Sequence, residues 1–366
     1  MYTPIHNQEW EVVFKPNTYI RKLYIELTNL CNLTCIMCYR HSWHTSEGEM
    51  SSETFHKIIL ELPKLVNLQE IVLGGLGEAM SHSEFYAMLE ELHRTVPKVD
   101  ITLTTNGVLL SVEDIDRLYE LGVKKIVVSV DGAEAVTQRI VRGEIAGYVN
   151  DKLESLGHSM KAKKILWWWE TVWQRKNKDQ LLPLIELAAK CQVDHVMISH
   201  LMPTSETMLH ENLCLPEEAE ENDKIFAKVR NLALRHRITV DFPKNSLNTE
   251  RTCNFVEQKS LVISWQGNIA SCYRFLHGCT ELYMNRKKEV LPFYFGNIRN
   301  QSILDIWNKN DYMHFRYRVA NNLYPSCPDC ILINGCDNVT RADSDCDGGI
   351  PSCGDCLWAR GFIQCP

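Results

Sequence analysis

The stretch TNLCNLTCIMCYR at residues 28–40 packs three cysteines into eight residues, and the other motifs of the chain are arranged around it. The cysteines follow C-x3-C-x2-C spacing, at Cys31, Cys35 and Cys38. The segment before them alternates like a half-buried strand, with apolar residues at Leu23, Ile25 and Leu27. The stretch therefore predicts a loop at the end of a strand, which is where α/β proteins commonly carry out chemistry.

The sulfur chemistry of this loop favours a metal centre. Three thiolates this close cannot satisfy one another as disulfides, but a short loop lets them converge on one site. A structural zinc site requires four ligands, whereas a four-iron, four-sulfur (4Fe-4S) cluster held by three cysteines keeps one iron free for a small molecule. Three buried or zinc-bound cysteines are the alternatives that the spacing alone leaves open.

The composition limits the class of protein. With 366 residues, 45% of them hydrophobic, the chain is expected to form one large domain and a smaller one. A net charge of -7 and a pI near 6.0 argue against a general nucleic-acid or membrane partner. The amino terminus does not resemble a signal peptide, and no apolar stretch reaches membrane-spanning length. We expect a cytoplasmic protein whose fifteen cysteines serve metals more than disulfides.

Strand and helix patterns alternate after the cysteine loop. Ser51 and Ser52 precede apolar residues at helical spacing, and Ser111 with Asp114 forms a cap-like pair before a helix that ends at Gly122. Apolar strand segments follow at residues 71–73, 101–104, 126–130, 165–173 and 195–199. Six strand-helix units predict an α/β fold with a parallel sheet, although periodicity does not decide whether the sheet is open or curled.

Polar motifs follow the second, third and fourth strands. Residues 74–78 read GGLGE, in which glycines let the backbone approach a ligand and a carboxylate can accept from an ammonium group. Residues 105–107 read TNG and residues 129–132 read SVDG, whose polar groups can address a ribose. Ordinary turn chemistry is the alternative for each motif, because Asn-Gly and Asp-Gly are frequent turn dipeptides.

Together, the cysteine loop and these strand-end motifs resemble the radical SAM superfamily. The resemblance implies an incomplete (β/α)6 barrel, open on one side. It also implies a 4Fe-4S cluster whose open iron is chelated by the amino and carboxylate groups of S-adenosylmethionine (SAM). Reductive cleavage of SAM would then give a 5'-deoxyadenosyl radical that takes a hydrogen atom from substrate.

The resemblance further implies roles for residues around SAM. The GGLGE segment matches the superfamily's GGE segment with a two-residue insertion, which assigns the SAM amino group to Gly74, Gly75 and Glu78. Ser129 is the preferred residue for a ribose contact, ahead of Asp131 and Asn106. Arg142 is expected to meet the SAM carboxylate. Met37 stands where relatives commonly carry an aromatic residue, so part of the packing against adenine is expected to move to Tyr39.

Ten of the fifteen cysteines lie from Cys253 onward, as in a small domain stabilised by metal. Cys253 and Cys272 flank a predicted hairpin with its turn at Gln266-Gly267. Three more cysteines follow at C-x2-C-x5-C spacing, at Cys327, Cys330 and Cys336. With the Gly-Asn-Ile and Ile-Trp segments between them, these features resemble the SPASM domain, which implies two auxiliary 4Fe-4S clusters.

One departure from the SPASM pattern leaves the ligand assignment open. The pattern places a further cysteine where this chain has Thr340. The expected ligands are Cys253, Cys272, Cys327, Cys330 and Cys336, with three more from the terminal four, Cys346, Cys353, Cys356 and Cys365. Cysteine pairs at C-x2-C spacing also make zinc ribbons, and the amino-terminal loop is what favours iron and sulfur.

The fifth strand carries three successive tryptophans at residues 167–169, followed by Glu170. Alternate residues of a strand point to opposite faces, so Trp168 faces away from the other two. Core packing is the preferred interpretation. If Glu170 or Trp168 faces the barrel lumen, it is expected to line the adenine or substrate site. His195 and His200 are ambiguous, and neither is nominated.

The predicted organisation is an amino-terminal extension (1–20), a radical SAM partial barrel (21–215), a linker helix and strand (216–250) and a SPASM domain (251–366). This class implies an enzyme that modifies a peptide, protein or cofactor and receives electrons from a donor such as ferredoxin or flavodoxin. The last fourteen residues further resemble a subgroup of maturases of tungsten-containing aldehyde oxidoreductases. Maturation of a ribosomally made peptide, by thioether or carbon-carbon crosslinks, is the alternative within the class. A non-catalytic iron-sulfur electron-transfer protein or zinc-stabilised adaptor is the alternative outside it.

Overall fold

The computed structural model describes residues 12–247, 250–283 and 286–365, so the first part of the predicted amino-terminal extension lies outside the described residues. The strands are β1 (Lys22–Ile25), β2 (Glu70–Leu73), β3 (Asp100–Thr105), β4 (Val123–Ser129), β5 (Leu166–Trp173), β6 (His195–His200), β7 (Thr239–Asp241), β8 (Ser260–Ile263), β9 (Asn268–Ala270), β10 (Cys279–Tyr283), β11 (Arg286–Val290) and β12 (Gly296–Asn297). The α-helices are α1 (Ser52–Glu61), α2 (Phe85–Thr95), α3 (Val112–Glu120), α4 (Ala135–Arg142), α5 (Leu153–Lys163), α6 (Leu181–Lys190), α7 (Glu206–Glu211), α8 (Ala219–His236), α9 (Asn254–Glu257), α10 (Ile303–Trp307) and α11 (Asn310–Ala320).

Local signals set the helix ends where the sequence predicts them. The Ser51 side chain accepts from the backbone N–H of Thr54 at the start of α1. Ser111 and Asp114 form a reciprocal capping box at the start of α3. Gly122, with a φ of 84°, then turns the chain into β4. The strand-helix alternation is therefore confirmed.

Ten strands form one sheet in the order β12-β9-β8-β1-β2-β3-β4-β5-β6-β7. The strands from β8 through β1 to β7 run parallel, whereas β9 and β12 join antiparallel at one edge. The predicted α/β architecture with a partial barrel is confirmed. A continuous apolar core packs between the sheet and its helices.

The carboxy-terminal hairpin belongs to the same sheet as the barrel. The predicted hairpin is confirmed as β8 and β9, with Val262 opposite Ala270. Strand β8 pairs in parallel with β1, Leu261 lying opposite Leu23. This pairing, which the sequence did not predict, brings the cysteine-rich region to the barrel mouth.

Strand β5 shows the predicted alternation of faces. Trp167, Trp169 and Trp173 are fully buried in the core under the helices. Trp168 points the other way and stacks on His195, with ring centroids 4.0 Å apart. The predicted core packing is confirmed for Trp167 and Trp169. Trp168 and Glu170 lie on the opposite face of the strand, toward the lumen.

Charged residues fill the lumen at the amino ends of the strands. Lys22 Nζ lies 3.2 Å and Lys125 Nζ 2.9 Å from the carboxylate of Glu70. Burial lowers the pKa of Lys22, and the Glu70 carboxylate opposes that shift. These paired charges close the end of the barrel opposite to the strand-end motifs. Along the described residues, no helix combines the length and apolar character needed to cross a bilayer.

Candidate active site

A cavity of about 250 Å³ opens at the carboxyl ends of the parallel strands. Six strand ends supply its first wall, through the cysteine loop, residues 75–78, 104–106, Ser129, residues 170–172 and residues 199–202. The carboxyl ends of parallel strands meet at one edge, so residues far apart in sequence converge there. The carboxy-terminal region supplies the second wall, through Tyr273, Arg274, Trp358 and residues 363–365.

The cysteine loop is held in shape by Arg40. Its Nη1 donates to the Asn29 carbonyl at 2.8 Å and its Nη2 to the Leu33 carbonyl at 3.3 Å. All three loop cysteines line the cavity, and burial raises the pKa of the Cys35 thiol to about 11. A bound metal stabilises the thiolate that burial disfavours, so this donor set fits an iron-sulfur cluster.

Glycines let residues 74–78 pack closely against neighbouring parts of the chain, and their predicted approach to a ligand stays a prediction. Gly74 and Gly75 have φ angles of 134° and 121°, a region that favours glycine. A Cβ on Gly74 would lie 1.9 Å from Thr104 Oγ1, and one on Gly77 would lie 2.1 Å from the Thr28 carbonyl oxygen. The turn is therefore wedged between the loop after β1 and strand β3.

Glu78 is buried at the cavity, with its carboxylate oriented by three donors. The Thr105 hydroxyl donates to Oε1 at 2.8 Å, the Met80 N–H donates to Oε1 at 3.2 Å, and the Asn106 N–H donates to Oε2 at 2.7 Å. Burial raises the pKa of Glu78, and these hydrogen bonds act in the opposite direction. The Asn106 side chain also points its Nδ2 at Cys31 Sγ, 3.6 Å away. Glu78 and Asn106 are thus brought together with the cysteine loop.

Asp131 and Arg142 form a buried ion pair. Arg142 Nε donates to Asp131 Oδ2 at 2.5 Å, while Asp131 Oδ1 accepts from the Thr171 hydroxyl at 3.1 Å and the Val172 N–H at 2.6 Å. Arg142 lines the cavity, whereas the Asp131 carboxylate is turned toward its partners behind the wall. The structure thus places Asp131 where it orients Arg142. Direct contact of Asp131 with a ribose stays a prediction.

Ser129 and Glu170 are neighbours on β4 and β5. The Ser129 hydroxyl donates to Glu170 Oε1 at 2.6 Å, and both side chains line the cavity. Burial raises the pKa of Glu170. Glu170 therefore faces the lumen, beside the predicted ribose position.

Tyr39 lines the cavity while its hydroxyl bonds to the carboxy-terminal region. The hydroxyl donates to Glu281 Oε1 at 2.7 Å and lies 2.9 Å from Cys279 Sγ. The Tyr39 ring meets Trp358 edge-on, with ring centroids 6.0 Å apart. Met37 also lines the cavity and packs in an apolar cluster with Leu201 and Met208. Tyr39 thus joins the two walls, and its packing against adenine stays a prediction.

A second cavity, of about 40 Å³, is lined by five cysteines, namely Cys253, Cys272, Cys353, Cys356 and Cys365. Burial raises the pKa of Cys353 far above its usual range, and the nearby Cys356, Cys253 and Cys272 thiols add to the shift. Cys365 differs from these four. It lines both cavities, and its Sγ accepts from Trp358 Nε1–H at 3.0 Å.

The other four predicted ligands of the carboxy-terminal region form a separate group nearer the surface. Burial raises the pKa of the Cys327 thiol to about 11, and Asp355, Cys346 and Cys336 act in the same direction. Cys330 follows in a tight turn, its N–H donating to the Cys327 carbonyl at 3.1 Å. Cys330 and Cys346 are exposed. The ligands predicted from Cys253 onward therefore separate into two groups of four, with Cys365 between the two cavities.

All fifteen cysteines lie in the described part of the chain, and each is a free thiol. Within the described ranges, no three His, Cys, Asp or Glu side chains lie close enough to hold a single metal ion. A 4Fe-4S cluster places each thiolate on a different iron atom, so its ligands stand farther apart than those of one ion. Buried thiols grouped without disulfides are the donor chemistry that such clusters use.

Sequence reasoning missed the residues of the second wall, namely Tyr273, Arg274, Trp358 and Gln364. Tyr273 and Arg274 directly follow Cys272 in the sequence. Their position next to Cys272, a predicted cluster ligand, is the sequence signal that could have identified them.

Comparison with known families matches two regions of the chain. The radical SAM superfamily model matches residues 25–157, and the SPASM model, described as an iron-sulfur cluster-binding domain, matches residues 253–331. The second match favours iron and sulfur over a zinc ribbon in the carboxy-terminal region. Iron-sulfur chemistry is thus indicated at both ends of the chain.

One similar protein is the tungsten-containing aldehyde ferredoxin oxidoreductase cofactor-modifying protein of Pyrococcus furiosus. It is 34% identical over 351 residues, which cover 95% of this chain and 97% of that protein. SuiB of Streptococcus suis bound to SAM has a similar fold, with a TM-score of 0.61 and 14% identity over 88% of this chain and 73% of that one. The protein anSMEcpe, with bound AdoMet and the Cp18Cys peptide, gives a TM-score of 0.62 and 17% identity over 94% and 96%. The chain therefore belongs to the radical SAM superfamily, as an enzyme of the branch that carries a SPASM domain.

Proposed function

We propose that this enzyme cleaves SAM reductively and modifies the cofactor of a tungsten-dependent oxidoreductase. The observation that carries the proposal is the 34% identity to a protein named as the cofactor-modifying protein of such an oxidoreductase. That similarity covers 95% of this chain and 97% of that protein, so it extends well beyond the residues that match the radical SAM model. Similarity over nearly the whole length supports a shared class of substrate, because the protein, not the SAM cluster, selects what meets the radical.

The residues of the first wall would bind SAM. Cys31, Cys35 and Cys38 would hold the cluster, and the oriented carboxylate of Glu78 would accept from the SAM amino group. Arg142, fixed by Asp131, would meet the SAM carboxylate, because a guanidinium donates two parallel hydrogen bonds to such a group. Ser129 and Glu170 would meet the ribose hydroxyls. When bound and reduced, the cluster would supply the electron that cleaves the SAM sulfonium, and SAM would supply the 5'-deoxyadenosyl radical that takes a hydrogen atom from substrate.

Two auxiliary 4Fe-4S clusters are proposed for the carboxy-terminal region. The buried group would hold the first, through Cys253, Cys272, Cys353 and Cys356. The group nearer the surface would hold the second, through Cys327, Cys330, Cys336 and Cys346. The cavity of the buried group shares lining residues such as Arg274 and Cys365 with the SAM cavity, and the other group contains exposed cysteines. This arrangement suits electron transfer between the site and the surface. The proposed setting is the cytoplasm, with a ferredoxin or flavodoxin as electron donor.

The test measures whether the cofactor stimulates SAM cleavage. Anaerobically purified enzyme is given SAM, a low-potential reductant and either a purified tungsten-dependent oxidoreductase or its released cofactor. We expect 5'-deoxyadenosine to form faster with the cofactor present, and the cofactor to change mass. Stimulation by a ribosomal precursor peptide together with no effect of the cofactor would reject this choice of substrate.

A further inference from the structure

Two successive residues of the second wall carry buried donor atoms without a partner. The Tyr273 hydroxyl and Arg274 Nη1 are both buried, and neither has a hydrogen-bond partner within the described part of the chain. Both residues line the SAM cavity. A buried donor without a hydrogen-bond partner is destabilising, so each such group calls for an explanation. Two of them on one wall point to a ligand that completes them.

Arg274 is fixed so that one nitrogen remains free. Its Nε donates to Glu281 Oε1 at 2.9 Å, and its Nη2 donates to Glu281 Oε2 at 2.6 Å and Asp355 Oδ1 at 3.1 Å. Lys288 bonds the other oxygen of Asp355. Arg274 is 2% exposed, and these two cations and two carboxylates balance one another. The clamp therefore holds Nη1 in a single direction.

Tyr273 lies where the second wall meets the GGLGE turn. A Cβ on Gly75 would lie 3.0 Å from the Tyr273 hydroxyl oxygen. The Tyr273 ring packs against Tyr24 and Phe255, with centroids 5.2 Å and 5.7 Å away. A tyrosine hydroxyl can donate a hydrogen bond, so a ligand oxygen could complete it.

We propose that Tyr273 and Arg274 form a substrate subsite that takes an oxyanionic group, either a carboxylate or a phosphate. A guanidinium has no acceptor, so its partner must present lone pairs, and the hydrogen bond that a guanidinium donates is strongest when the accepting oxygen is ionised. The first wall is proposed to bind the amino, carboxylate and ribose groups of SAM, which leaves these donors for the substrate. The inference rests on the proposed function and adds the chemical class of the group that anchors the substrate. Arg274 also lines the cysteine cavity, so a bond to the auxiliary cluster is the competing role.

The probes are inorganic phosphate and acetate, titrated by calorimetry into cluster-reconstituted, SAM-loaded enzyme. Tyr273→Phe removes only the hydroxyl, and Arg274→Lys keeps a cation beside Glu281 and Asp355 while removing Nη1. Arg299→Gln is the control, because Arg299 is exposed and bonds Thr54 on α1. We expect wild type and Arg299→Gln to bind at least one anion equally. Tyr273→Phe should weaken it roughly 3- to 10-fold and Arg274→Lys roughly 10- to 100-fold. The preferred anion distinguishes a phosphate from a carboxylate substrate.

The melting temperature of each variant serves as the control for correct folding. Tyr273→Phe removes an unsatisfied buried hydroxyl, so its melting temperature should equal or exceed that of wild type, and weaker binding then cannot come from misfolding. The inference is overturned if wild type binds neither anion or if Tyr273→Phe binds as wild type does. It is also overturned if Arg274→Lys shifts the midpoint potential of an auxiliary cluster but leaves anion binding unchanged. SAM cleavage by wild type is measured on the same preparation, because its absence would reject the proposed function itself.

Discussion

At the scale of single residues, Asp131 illustrates how the site is held. Its carboxylate receives hydrogen bonds from Arg142, Thr171 and Val172, which tie strand β5 to the end of helix α4. A residue that the sequence suggests as a ligand contact is thus placed as a positioning residue for Arg142. Its importance should appear in SAM affinity, because Arg142 is the group proposed to meet the SAM carboxylate.

The first prediction concerns this pair. Asp131→Asn removes the charge that fixes Arg142, so we expect equilibrium binding of SAM to weaken by roughly tenfold or more. Asp116→Asn is the matched control, because Asp116 forms an exposed ion pair with Lys163 on the outer surface. Asp131→Asn binding SAM with wild-type affinity would contradict the role given to Asp131.

The second prediction concerns Cys365, which lines both cavities and is not one of the eight proposed cluster ligands. Three 4Fe-4S clusters require about twelve iron atoms per chain. Cys365→Ser should keep that content, whereas Cys353→Ser should lose about four iron atoms. Iron and acid-labile sulfide assays on anaerobically purified protein measure this. Equal iron loss in both variants would place Cys365 among the ligands.

The third prediction concerns pH. Burial lowers the pKa of His200 from its usual value of 6.5 to about 4. The unfolded chain therefore binds more protons than the folded one between these values. Keeping His200 neutral in the folded state therefore costs no stability above about pH 6.5. As the pH falls from 6.5 toward 4, the free energy of unfolding decreases by roughly 3 kcal/mol in total. His200→Gln should accordingly lose less stability than wild type between pH 7.5 and 5 in thermal unfolding. An equal loss in both proteins would show that another group dominates.

At the scale of elements, β5 separates a packing face from a chemical face. Trp169 is fully buried on the core side, and Glu170 lines the cavity on the other. A one-residue shift in register would exchange these faces, so the strand is strongly specified by its apolar side.

The fourth prediction follows from that division. Trp169→Ala should lower the free energy of unfolding by roughly 3–5 kcal/mol, because it leaves a cavity in the core. Leu166→Ala on the same strand is the control. Leu166 is 49% exposed, so the change should cost about 0.5 kcal/mol or less. Denaturant unfolding of the two variants gives the comparison, and similar losses in both would contradict the assignment of faces.

At the scale of the whole molecule, local signals in the sequence account for much of the fold. The capping residues Ser51 and Ser111, the GGLGE turn and the strand-helix periods act within a few residues, so they can be read from the chain alone. The cysteine loop is equally local, and its three members do line one cavity.

Long-range contacts account for what the sequence did not predict. The pairing of β8 with β1 depends on residues more than 200 positions apart, and no local period encodes it. That pairing decides which cysteines face each other and places Tyr273 and Arg274 across from the GGLGE turn. The position of Cys365 between the two cavities depends on the same tertiary arrangement.

The most direct test of the central claim is the yield of 5'-deoxyadenosine from reduced, cluster-reconstituted enzyme supplied with SAM. The three-cysteine loop should be essential for this reaction, so wild type should form 5'-deoxyadenosine and Cys35→Ala should form none above background. No 5'-deoxyadenosine from wild type with an intact amino-terminal cluster, or an undiminished yield from Cys35→Ala, would contradict the claim.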